Sequence, residues 1–358
     1  MGRLNTLAEQ RATLAWAAEY RGARRGVGDI ASVSDLRSRF GDDLRRYFAL
    51  AALSRSTTAP EQMVSDALTL VFRVRVVLEQ SIAGVLSDLA ARDGVGVFEL
   101  SRAPLHGYSK KQGVSIRMPL SSCVPSKVCG AACYAHDVLD AAPASVVRGA
   151  VNGAVAAWYE RGGGRQREEL LTALTRAVRR MVEAARKDAR FASPTFVRRP
   201  RIRFAHVGEF APFPEFANAL ARLVRESSDG GVDCVVYTRH PDARLLDPDL
   251  FVVLFSLDES SEDRRRFVPA TARVVRSAFG GRVTDSVDVN FLEHHRWVHI
   301  KPVGTGKVCP ATAPETKVRT CDACQCDFCF RPKQALRHGA DVGSGVEPRR
   351  AATGGVPT

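Results

Sequence analysis

From Pro200 onward the chain alternates short apolar runs with helical stretches, and this alternation constrains the fold more than any other feature of the sequence. Residues 202–207, 232–238 and 250–257 read as strands. Residues 214–226 read as a helix introduced by Pro212 and Pro214, and 261–279 as a further helix. Residues 283–291 and 297–302 are strand-like. Near-continuous apolar strands separated by helices indicate a parallel sheet with covered faces. The expected fold class is therefore α/β, with parallel βα units forming an open or partial barrel.

The chain before this region has a different texture. Segments 4–20, 33–53 and 61–92 are rich in Ala, Leu and Arg, with Asp35 suited to a helix start and residues 56–60 breaking the second segment from the third. Residues 1–96 are thus expected to form a helical N-terminal segment packed on the domain C-terminal to it. Residues 97–332 form the expected α/β domain. In it, 97–100 and 114–118 read as short strands, and 144–190 as a long helical region hinged at Gly162, Gly163 and Gly164. Residues 333–358 are polar and rich in Gly and Arg, and read as a disordered tail.

Composition narrows the class. The chain has 358 residues, 45% apolar and 25% charged, the usual globular balance. No run of 18 apolar residues occurs, which argues against a membrane-spanning helix and a membrane partner. The first twenty residues read as an amphipathic helix and not as a secretory signal, so a cytoplasmic location with reduced cysteines is expected. The net charge is +13, which suits a polyanion such as nucleic acid, but the charge is spread along the chain. Its densest stretch, 161–203, reads as a solvated helix face.

Eight of the nine cysteines fall in two clusters, and Cys234 stands alone in an apolar run as a core residue. In a reduced compartment such clusters point to metal before disulfides. Cys123, Cys129 and Cys133 have the spacing C-x5-C-x3-C. Three thiolates on one loop can hold three irons of a [4Fe–4S] cluster and leave the fourth open to a small molecule. A zinc site is the alternative. The second cluster comprises Cys309, Cys321, Cys324, Cys326 and Cys329, whose last four members form two C-x2-C knuckles. Four thiolates close a structural zinc or iron–sulfur site. Cys309 is then either spare or the fourth ligand of the first cluster.

A Gly-Glu turn, Gly208–Glu209, follows the 202–207 strand. Carboxylates at the C-terminal ends of parallel strands are where α/β folds place ligand contacts. Glu209 is expected either to bind a ligand amine or, more plainly, to cap the next helix or face solvent. Residues 237–240 end another strand at the same edge and read equally well as an ordinary turn.

The phrase FELSRAPLHGYSKKQGVSIRMPLSSCVPSKVCGAACYA, followed by HVGEF and then CPAT…CDACQCDFCF, resembles the phage "gene product 88" family over residues 98–330. That family is in turn similar to radical S-adenosylmethionine enzymes, in which a C-x3-C-x2-C loop holds the cluster and a Gly-Gly-Glu turn holds the cofactor's amino group. Here the cysteine spacing differs at both intervals, and Val207 stands for the first glycine. The resemblance implies S-adenosylmethionine as a cofactor, Gly208 and Glu209 as its contacts, and an enzyme acting on a substrate that the residues do not name. The competing reading is a non-catalytic zinc protein of phage or plasmid origin that binds nucleic acid. Against it, few aromatics interleave with the basic stretch.

Overall fold

The computed structural model describes residues 6–22, 30, 33–100, 105–109, 113–131, 133, 135, 142–188, 199–278, 282–292, 303–305 and 307–309. Among them the chain is a mixed α/β protein built on one seven-stranded sheet. The strands are β1 (His106–Ser109), β2 (Gly113–Arg117), β3 (Arg201–Val207), β4 (Asp233–Thr238), β5 (Phe251–Leu257), β6 (Arg273–Ala278) and β7 (Val289–Leu292). They lie side by side in chain order. β1 runs antiparallel to β2, and every pair from β2 to β7 is parallel. Beyond β7, residues 307–309 add one more parallel bridge, with Asn290 N donating to Lys307 O and Cys309 N to Asn290 O, each at 2.8 Å.

The period-2 alternation of the strands sorts their side chains onto two faces. Ile202, Phe204, Cys234, Val236, Val253, Phe255 and Val274 join the main core with the helices. Val235, Leu254, Val275, Val289 and Cys309 form a separate cluster on the opposite face. The helical face is covered by α6 (Pro143–Arg161), α7 (Gly164–Arg186) and α8 (Pro214–Ser227). Proline at the first turn of α6 and of α8 costs no hydrogen bond, because those N–H groups have no intrahelical partner. α6 and α7 part at Gly162 and Gly163. Most basic residues of α7, among them Arg165, Arg176, Arg179 and Arg186, are exposed, while Leu170, Leu174, Val178, Met181 and Val182 are buried.

A second helical layer precedes the sheet in sequence: α1 (Leu7–Glu19), α2 (Val33–Arg39), α3 (Gly41–Leu53) and α4 (Glu61–Asp93). Thr6 caps α1, its hydroxyl accepting from Glu9 N while the Glu9 carboxylate accepts from Thr6 N. α4 packs on α6 and carries Val71, Val74, Leu78, Ile82, Leu86 and Leu89 into the same core as the sheet. Fully burying each such side chain contributes about 1.5–3 kcal/mol. Among the described residues no helix is long and apolar enough to cross a membrane.

Two expected elements take a different form. Residues 97–100 do not form a strand. Gly94, at φ +79°, ends α4, and a 3-10 turn, Val95–Phe98, buries Phe98. Residues 261–279 are not one helix but a 3-10 turn, Glu262–Phe267, followed by β6. Pro269 cannot continue a helix, and the β-branched pair Val274–Val275 packs well in a pleated sheet. Residues 297–302 and the 333–358 tail lie outside the described residues.

Candidate functional site

β2 and β3 end together. Met118 N donates to Val207 O at 2.8 Å, so the start of the cysteine loop runs against the end of β3. The approach is close enough to require glycine. A Cβ on Gly208 would lie 2.6 Å from the carbonyl carbon and oxygen of Met118, and its φ of +77° is in the left-handed region. The next residue is then fixed: Glu209 N donates to Ser122 Oγ at 2.8 Å, and Ser122 Oγ donates to Pro119 O at 2.7 Å.

Glu209 neither caps α8 nor faces solvent. It is 6% exposed. One carboxylate oxygen accepts from Arg239 N at 3.3 Å, and Thr238 donates a side-chain hydrogen bond. The other, Oε2, is buried and has no hydrogen-bond partner. Burial pushes its pKa up to about 7, against the opposing pull of Thr238 and Arg239.

The cysteine loop is tied down from four directions. Glu79 of α4 accepts from Ser121 N at 3.0 Å. Glu79 is itself buried beside Arg75, which pairs with it one helical turn away. Ser126 Oγ donates to the Asp258 carboxylate and accepts from Cys129 N at 3.0 Å. Ser260 Oγ accepts from Val128 N at 3.2 Å, and Arg264 donates to the carbonyls of Val124 and Pro125. Asp258 is held by Arg239 at 2.6 Å and accepts from Ser260 and Ser261. These bonds keep the Asp258 carboxyl below the usual range despite burial.

Cys123 and Cys133 pack with Leu120, Val207, Ala135 and Phe72, while Cys129 sits in the short helix α5 (Lys127–Ala131). Burial pushes the Cys123 thiol well up, and the neighbouring charges of Glu209, Cys133, Cys129 and Glu79 push it further. The Arg239 guanidinium feels Cys129, Asp258 and Glu209 together. The three cysteines, Glu209, Arg239 and Asp258 thus share one region, built from the C-terminal ends of β2, β3, β4 and β5. Among the described residues no set of three His, Cys, Asp or Glu side chains is already arranged as a metal cage. Comparison with protein-family models, curated proteins and solved structures gives no match.

The other cysteines lie elsewhere. Cys234 is buried on the helical face, where desolvation pushes its thiol up. Cys309 packs on the opposite face beside β7, at the other edge of the sheet from β2. Cys321, Cys324, Cys326 and Cys329 lie outside the described residues. Sequence reasoning missed Asp258, Ser126, Arg264 and Glu79. Only Glu79 left a usable signal: Arg75 and Glu79, four residues apart, interrupt an otherwise apolar helix face.

Proposed function

We propose that Cys123, Cys129 and Cys133 hold an iron–sulfur cluster at the mouth of an open or partial barrel formed by the six parallel strands. Gly208 and Glu209 then border a small-molecule ligand of that cluster, S-adenosylmethionine by resemblance. The observation that carries this reading is Glu209 Oε2, a buried carboxylate oxygen with no partner, at a strand end beside three cysteines. In the same reading Cys309, Cys321, Cys324, Cys326 and Cys329 supply at least four ligands to a second, structural metal. The compartment is cytoplasmic, and the protein acts as an enzyme.

The donor set suits a metal. Glu209, Cys133 and Cys129 all raise the proton affinity of Cys123, so a multivalent cation bound among them would draw the Cys123 proton off. A cluster held by Cys123, Cys129 and Cys133 would supply a coordination position for the amine and carboxylate of a small molecule, and an electron. The chain's own residues do the rest. Glu209 Oε2 would accept a hydrogen bond from an N–H of that amine, while Arg239 N and Thr238 hold the Glu209 carboxylate. Gly208 keeps the strand end against Met118, and Asp258 and Arg239 hold Ser126 under Cys129.

Anaerobic reconstitution with iron and sulfide, followed by metal analysis and optical and electron paramagnetic resonance spectra, tests this. The expected result is a brown protein whose first cluster is lost when Cys123, Cys129 and Cys133 are all replaced by Ala, while metal at the C-terminal cysteines persists. A colourless protein retaining only zinc sinks the reading and leaves the non-catalytic zinc protein in its place.

A further inference from the structure

Part of the sheet face turned away from the helices carries charge, beside the apolar cluster of Val235, Leu254, Val275 and Val289. Arg117 projects there from β2, Arg201 and Arg203 from β3, and Arg273 from β6 (their strand neighbours Ile116, Ile202, Phe204 and Val274 belong to the helical face). Asp233 stands at the N-terminal end of this array, 3.4 Å from Arg199.

Ser115 and Arg203 are direct cross-strand partners of β2 and β3. Ser115 is 0% exposed, and its hydroxyl makes no hydrogen bond. Arg203 is half-buried, and its Nε is buried without a hydrogen-bond partner. Its guanidinium lies over the Tyr237 ring, 4.5 Å from the centroid. Such stacking stabilises the flat face of the cation and leaves its in-plane edge, with the unpartnered Nε, directed away from the ring.

The neighbouring histidine reports the same field. Arg117 Nη2 donates to His206 Nε2 at 3.1 Å, which leaves the proton on Nδ1 to donate to Ile116 O at 3.2 Å. His206 is therefore neutral, its pKa lowered to about 3 by burial and then by Arg117 and Arg203.

We propose that Ser115 and Arg203, with Arg117 alongside, form a binding site for an oxyanion, a phosphate or carboxylate group carried by the substrate. The in-plane edge of a guanidinium matches two such oxygens, and a serine hydroxyl can donate to one of them. This rests on the proposed enzyme only in making the anion part of its substrate; the binding itself needs no metal.

Calorimetric titration of the full-length chain with inorganic phosphate, and separately with malonate, at constant ionic strength tests the site. Saturable one-to-one binding of either anion is expected, and the preferred one identifies the group. Arg203→Gln should weaken it about tenfold or more, and Ser115→Ala about threefold, as lost charged and neutral hydrogen bonds do. Arg165→Gln, on the exposed face of α7, should change nothing. No saturable binding of either anion, or unaltered affinity in both Arg203→Gln and Ser115→Ala, overturns the proposal. If Arg203→Gln fails to fold, Ser115→Ala, which removes one oxygen, decides alone. The combined Cys123→Ala, Cys129→Ala and Cys133→Ala chain should keep anion binding while losing the first cluster, so the two readings fail separately.

Discussion

A methyl group at position 208 meets two obstacles at once, a left-handed backbone and the Met118 carbonyl at 2.6 Å. Gly208→Ala is therefore expected to cost about 2 kcal/mol or more, through strain at positive φ and displaced backbone. Urea unfolding measures this directly; a loss under half that size means the two strand ends are not locked together. A second residue sets a pH dependence. His206 titrates near 3 in the folded chain and near 6.5 when unfolded, so between these values the unfolded state binds more protons. Stability should fall as pH drops from 6.5, by up to about 1.4 kcal/mol per pH unit for this one group. His206→Gln should flatten that limb of the stability curve, and an unchanged slope would mean the ring is not held neutral. At this scale the position of Gly208–Glu209 and of the three-cysteine loop at one sheet edge was readable, because chemistry and spacing coincide there. It was not readable where a role depends on residues far apart in the chain. Asp258 meets Arg239 only because β4 and β5 are neighbours, and Ser126 only because the loop after β2 reaches the end of β5; no local pattern says so.

Strands and helices were legible in proportion to their length and periodicity. The helices of α4, α6 and α7 and the strands β3, β4 and β5 follow from pattern alone, since the helices are long and the strands are near-continuously apolar, as strands buried on both faces are. The 261–279 segment misled because its charged start mimics a helix while Pro269 divides it. α4 is the element with most at stake. Its Arg75–Glu79 pair is wholly buried, and desolvation raises the Glu79 pKa against the pull of Arg75. Removing one partner strands a charge, so Glu79→Ala should destabilise by about 3–5 kcal/mol. Replacing both, as Arg75→Met with Glu79→Leu, should restore most of that loss, yet Ser121 N would still lack its acceptor. Hydrogen exchange should then be faster at 120–131 in the double variant despite near-normal global stability. Unchanged exchange there would show that α4 supports the core but not the cysteine loop.

The core runs without interruption from Ala17 in α1 to Val287 before β7. A chain begun at residue 97 would expose the faces of α6 that α4 covers, and should show no cooperative thermal transition by circular dichroism. A sharp transition in that fragment would mean the α/β part is stable alone. The strand order has a consequence for how the molecule is made. Every strand pairs with its immediate predecessor, so a growing chain can add each one to an edge already in place as it leaves the ribosome. Closing the connections after β3 costs roughly 2–3 kcal/mol of chain entropy each, while the segment between β2 and β3 costs about 4 kcal/mol. That first closure is the exception: the β1–β2 hairpin must wait for α6 and α7 to be synthesised before β3 arrives. During that interval its edge is open to other chains, and the helices made before it are what can shield it.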